Sequence, residues 1–281
     1  MLGALIIVFR EVIEAGIIVG IVMAVTRGVP GSRLMAGAGV LAGLVGASLV
    51  AAFAGALADA LGGVGQEMFN AAILALAVCM LAWHNIWMAS HGRELAAEAR
   101  KLGQDVRSGA RSLTALAIVV AVAVMREGSE VALFLYGLVA SGGTTSNDLL
   151  LGSALGLVAG AGVSAVTYFG LVTIPARSLF STTSALITLL ASGLAAQSVN
   201  FLQQAGVVSI WSQTAWDTSA ILSDTSLLGR VLHTLVGYSD QPSVLQVVVY
   251  FVTLATILAL SRAFAPRPAT RRPEASAAHP N

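Results

Sequence analysis

Seven stretches of at least about 18 apolar residues recur along this 281-residue chain, at 2–25, 34–58, 66–90, 113–140, 149–174, 179–202 and 244–261. A helix of that length crosses the hydrocarbon core of a bilayer. With 57% hydrophobic residues, 10% charged residues and a mean hydropathy of +0.85, the fold class is an all-α polytopic membrane protein with seven transmembrane helices. The first stretch is too long for a signal-peptide core, lacks a basic leader and carries charges in its middle, so it reads as a retained span. The single cysteine, Cys79, rules out an internal disulfide and a thiolate metal cluster. The composition points to a lipid bilayer as the surrounding partner and to no nucleic acid.

The basic residues between the spans set the expected orientation. Arg27, Arg33, Arg93, Arg100, Lys101, Arg107, Arg111, Arg177, Arg262, Arg267, Arg271 and Arg272 follow the odd-numbered spans, whereas the alternate connections hold Arg230 alone against Asp59, Asp148, Asp217, Asp224 and Asp240. The amino terminus is therefore predicted outside and the carboxyl terminus in the cytoplasm. The predicted domain plan is a transmembrane domain over 1–265, comprising repeat one (1–91), repeat two (113–203), an outer loop (203–243) and a last helix (244–264). The proline-rich segment 266–281 is expected to be a disordered cytoplasmic tail.

Two spans carry the same charged pattern. Arg10-Glu11-Val12-Ile13-Glu14 lies within the first and Arg126-Glu127-Gly128-Ser129-Glu130 within the fourth, 116 residues further on. On a helix the arginine and second glutamate share one face, with the first glutamate one lateral step away. Each charge at mid-bilayer costs roughly 2.5 to 3.5 kcal/mol, so six of them must face each other, water or a ligand. The two spans run in opposite directions, so spans one to three and four to six form a 3+3 inverted-topology repeat with span seven appended. Such repeats place the transported species near the midplane.

Four carboxylates against two guanidinium groups leave an excess of negative charge, and the oxygen-rich donor set favours hard cations. Glu11, Glu14, Glu127 and Glu130 are the candidate metal ligands, and Arg10 and Arg126 their counter-ions. Glu67 and Asn70, at the outer start of the third span, are candidate relay groups. His84 and His91 read as interfacial anchors, Met23, Met80 and Met125 as core filling, and Gly92 to Ser112 as a solvated connector. The outer loop, with Trp211, Trp216 and Tyr238, suits an interfacial re-entrant or amphipathic segment, and its aspartates could concentrate cations. The alternatives are a divalent-cation or proton-coupled transporter and an intramembrane enzyme; the latter lacks a His-Glu-x-x-His motif.

The paired Arg-Glu-x-x-Glu motifs resemble those of the oxidase-dependent high-affinity iron permeases, which comprise the fungal ferric permeases and the bacterial EfeU-type transporters. The resemblance extends to Gln66-Glu67, Trp87-Met88, Phe201-Leu202-Gln203-Gln204-Ala205-Gly206, Trp216-Asp217-Thr218-Ser219, Gly237-Tyr238 and Pro242-Ser243. It implies iron uptake across the plasma membrane, here a bacterial inner membrane, with the four motif glutamates handling the metal. Iron is then the transported substrate, with no permanently bound cofactor. The cargo is expected as Fe3+ made by a partner, with Fe2+ the other form. That partner is an extracytoplasmic iron oxidase or peroxidase, acting with a cupredoxin-like protein. Two departures stand out: Asn70 replaces a second acid found in many members, and Val12 replaces the glycine that Gly128 retains.

Overall fold

The computed structural model describes residues 1–61, 66–141, 144–170, 176–224 and 226–264. The tail beyond 265 and the link between the second and third spans lie outside the described residues. Among them eight helices follow in order: α1 (Leu2–Val25), α2 (Ser32–Leu61), α3 (Gln66–Arg107), α4 (Leu113–Ala140), α5 (Ser146–Tyr168), α6 (Ala176–Gln204), α7 (Leu227–Val236) and α8 (Val244–Ala263). No strand is present among the described residues, only an isolated bridge between Thr214 and Ser243. Among the described residues five helices are long and apolar enough to cross a bilayer, over Ser32–Ala56, Gln66–Met88, Ser146–Tyr168, Ser181–Gln204 and Val244–Ala263. α1 and α4 are as long, at 24 and 28 residues, but each carries the three charges of its motif mid-helix.

The surface agrees with a lipid environment. Leu34, Leu41, Leu49 and Phe53 on α2, Leu150, Leu155 and Val158 on α5, and Phe251 and Val252 on α8 are all exposed. Soluble monomers rarely expose so many large apolar side chains, and the protein is a multi-pass membrane protein.

Helix directions follow from which ends meet. Gly152 on α5 lies against Met1 and Ala4 of α1, and Gly160 against Phe9 and Val12, so α1 and α5 are parallel. α2 and α4 pair the same way, Gly39 meeting Ala117 and Val120 while Gly43 meets Ala121 and Val124. At these seams glycine lets backbones approach closely: a Cβ on Gly156 would lie 2.6 Å from the Leu5 carbonyl oxygen. With no hydrophobic drive between helices in lipid, such close packing is what holds them together. α3 runs with α1, Gly103 resting on Val25 near their ends, and against α4, where Gly137 faces Ala77. α6 opposes α3, and interhelical hydrogen bonds cross their seam at both ends. Asn85 Nδ2 donates to Ser184 O (3.4 Å) and Ser198 Oγ to Ala71 O (2.8 Å). α1, α3 and α5 thus point one way, α2, α4 and α6 the other.

One expectation is corrected. The polar stretch after the third span is no solvated connector, because α3 continues as one 42-residue helix, about 63 Å long, to Arg107. Ala99, Leu102 and Val106, spaced three and four apart, bury one face of this extension against Val22 of α1 and Leu116 of α4. Ser112 Oγ then caps α4 by accepting from Ala115 N–H at 3.2 Å.

The loop over 203–243 is internally bonded. Asp224 and Asp240 each accept the other's backbone N–H (3.1 Å), and the Tyr238 hydroxyl donates to Leu222 O (2.7 Å). α7 is the loop's amphipathic piece, and it ends on Gly237, whose φ of 69° is left-handed and whose Cα packs on Gly193 of α6.

Candidate metal-handling site

α1, α3 and α4 cross where the two motifs lie. In the first copy, Arg10 Nη1 is 3.1 Å from Glu11 Oε1 and Nε is 2.9 Å from Glu14 Oε1, with all three residues at most 3% exposed. In the second, Arg126 Nε is 3.2 Å from Glu130 Oε1 and 3.9 Å from Glu127 Oε1. Its guanidinium also lies over the Trp87 ring, 4.3 Å from the centroid, a cation–π contact.

His84 joins the two. Its Nε2 faces Glu14 Oε2 at 3.3 Å and Glu11 Oε2 at 3.8 Å, while its Nδ1 contacts Glu130 Oε2. Glu11, His84, Glu127 and Glu130 each offer a ligand atom within 4.8 Å of the others. Glu14 flanks this group through His84 and Arg10. Opposite ligands of a small cation lie about 4 to 5 Å apart, so the group has the right span for one. Glu11 Oε2, Glu127 Oε2, Glu130 Oε2, both Glu14 oxygens and both His84 nitrogens are buried without a well-formed hydrogen bond among the described residues. Buried polar atoms are ordinarily satisfied, and converging lone pairs on oxygen and nitrogen are what a cation satisfies.

The interfacial reading of His84 is thereby corrected: it is 3% exposed and lies on the inward stripe Leu74–Ala77–Leu81–His84 of α3. That spacing of three and four was the available signal. His91, by contrast, stacks on Trp87 with ring centroids 5.1 Å apart. Glu67 is exposed at the far end of α3, about 25 Å along the axis from His84, and Asn70 accepts from Gln66 Nε2 at 3.1 Å. Neither joins the cluster.

A cavity of about 400 Å³ adjoins one side. The α3 extension contributes Glu98, Lys101 and Asp105, the connection Arg111, and α4 Val122, Arg126 and Glu127. Beyond the membrane helices, Asp217 in the 203–243 loop has its acidity raised by hydrogen bonds from Ser219 and Gln241, whereas burial, then the nearby Asp240, pushes Asp224 toward the protonated form. These loop aspartates are engaged with the loop itself.

A bundle of apolar helices enclosing an acidic cluster that two arginines only partly neutralise, with a cavity lined by charged and apolar side chains on one side, is built as a membrane transporter of cations rather than an enzyme. The chain belongs to the iron permease FTR1 family, which residues 1–265 match. It is similar to the ferrous iron permease EfeU of Yersinia pestis, 31% identical over 259 residues covering 90% of both chains. A second relative is the ferrous iron permease EfeU of Shigella flexneri, 31% identical over 194 residues, 69% of this chain and 82% of that one. No solved structure matches the chain.

Proposed function

We propose that the protein moves iron inward across the plasma membrane, with Glu11, Glu14, Glu127 and Glu130 exchanging for the ion's water and Arg10 and Arg126 as counter-ions in the cluster. The observation that carries this reading is the convergence of both motifs on one buried cluster rich in unsatisfied carboxylate oxygens. Glu67 and Asn70, at the outer end of α3, act as a first relay. The ion arrives as Fe3+ from an extracytoplasmic oxidase or peroxidase with a cupredoxin-like partner, or as Fe2+, the form in the relatives' names. Radio-iron uptake into vesicles at fixed redox state separates the two.

A seven-span, 3+3 inverted arrangement with α8 appended is supported by the opposed directions of α1 and α4. It is supported further by positional equivalence across two offsets. Gly39 and Gly43 meet Val120 and Val124, as Gly152 and Gly156 meet Ala4 and Val8; the glycines are 113 positions apart and their partners 116. The hydrogen bonds Asn85 to Ser184 O and Ser198 to Ala71 O also exchange under the 113-residue offset. The cavity lies at the end where Arg100, Lys101, Arg107 and Arg111 gather, the cytoplasmic end by the positive-inside rule. Release is therefore past Arg126 and Glu127.

The experiment is iron uptake by the variant with all four glutamates changed to Gln. It should reach the membrane at normal abundance and lose at least about 100-fold in uptake, an effect of roughly 2.7 kcal/mol or more. Wild-type uptake by this variant would overturn the assignment.

A further inference from the structure

We propose that His84 is a metal ligand of the cluster, and that its nitrogen makes the site prefer borderline transition-metal ions to Mg2+ and Ca2+. This rests on the reading of the cluster as the iron site and adds a specificity-determining residue to it.

The four motif glutamates alone make an all-oxygen set, which suits Mg2+ and Ca2+ as well as iron. Imidazole changes that, since it is a ligand for iron, zinc, copper and nickel and a poor one for the hard alkaline-earth ions. His84 is the one nitrogen donor in the group whose ligand atoms lie within 4.8 Å, and it is 3% exposed.

Its orientation is set by the second motif and serves the first. Glu130 of α4 contacts Nδ1, while Nε2 faces Glu11 and Glu14 of α1 at 3.8 and 3.3 Å. A carboxylate fixing one ring nitrogen while the other faces the metal is the usual support of a ligating histidine. α3 itself is held by the Asn85 bond to Thr188 Oγ1 at 2.9 Å, one residue beyond His84. Under the 113-residue offset the position equivalent to His84 is Gln197, whose Nε2 donates to Ser141 O at 3.5 Å. The nitrogen donor thus enters from one half only.

The test uses full-length protein in proteoliposomes, with radio-iron held as Fe2+ and unlabelled Mg2+, Ca2+ or Mn2+ as competitors. The expected result for His84→Gln is at least a ten-fold fall in the preference for Fe2+ over Mg2+ and Ca2+. If His84 only spaced the helices, uptake would fall with its metal preference unchanged, and that outcome overturns the proposal. A second measurement is independent of how the variant folds: electron spin-echo spectra of purified wild-type protein loaded with Mn2+. These should show modulation from a directly bound ¹⁴N, and its absence would overturn the proposal too. Failure of the iron reading is separate, because the four-glutamine variant would then retain uptake whatever the spectra show.

Discussion

The two Arg-Glu-x-x-Glu copies share their spacing and helix geometry but not their surroundings. Arg10 is 1% exposed and divides its guanidinium between Glu11 and Glu14, whereas the Arg126 side chain is 36% exposed, stacks on Trp87 and borders the cavity. The contrast originates in how each half ends. α3 runs on beyond its span and, with α4, forms a polar wall beside the second copy. α6 instead gives way to the 203–243 loop, whose α7 packs back onto α6 and α1. In the inward-release reading, the first copy is the fixed side of the site and the second the side from which the ion leaves.

The largest expected effect that could break this comparison is on stability. Arg10→Gln strands Glu11 and Glu14 in a buried setting and should cost about 3 to 5 kcal/mol, the range for removing one partner of a buried ion pair. Arg126→Gln, at a half-open position, should cost no more than about 1 to 2 kcal/mol, mostly the cation–π contact. Thermal unfolding of both variants in detergent measures the difference; equal losses would mean that the copies are energetically alike.

Accessibility sharpens the same contrast. Ile7 and Ala123 are equivalent positions, three residues before each arginine; Ile7 is fully buried, while Ala123 lines the cavity. In a Cys79→Ser background, Ala123→Cys should react with a membrane-impermeant thiol reagent in inside-out vesicles at least about ten times faster than Ile7→Cys. That factor corresponds to roughly 1.4 kcal/mol in opening free energy. Comparable rates would remove the evidence for an inward-facing opening.

Much of this architecture was legible because lipid imposes a coarse rule on sequence. A helix must be apolar wherever it faces hydrocarbon, so the starts of α1, α3 and α4 could be read directly, and the doubled motif could be placed on facing helices. What could not be read were features that depend on a partner. Ala99, Leu102 and Val106 look like ordinary residues in a charged stretch until Val22 and Leu116 are found to cover them. His84 lies near Trp87 and Met88, as a histidine at a membrane interface would; only the crossing of α3 with α1 and α4 turns it toward the carboxylates. Glu67 lies exposed in the first turn of α3, but one helix position says nothing about the distance between a relay and its destination.

Val12 shows the same dependence at the smallest scale. It stands where the second copy has Gly128, and the structure gives the reason: Val12 packs on Gly160 of α5, whereas Gly128 packs on Ala47 of α2. Under the two offsets these pairs are equivalent, so the small residue has changed helices while the seam stays close. A Cβ on Gly160 would lie 2.9 Å from both the Phe9 carbonyl oxygen and Val12 Cβ. Gly160→Ala alone should therefore cost about 1 to 3 kcal/mol by overpacking. Val12→Gly alone loses burial and adds backbone entropy in a helix, about 1 kcal/mol or more. Together they reproduce the Ala47–Gly128 pairing, and the double variant should be more stable than the sum of the single losses predicts, by about 0.5 to 1 kcal/mol. The double-mutant cycle is measured by thermal unfolding at constant detergent concentration. Strict additivity would show that the two seams tolerate side chains independently, and that the equivalence of the α1–α5 and α2–α4 pairs does not extend to this contact.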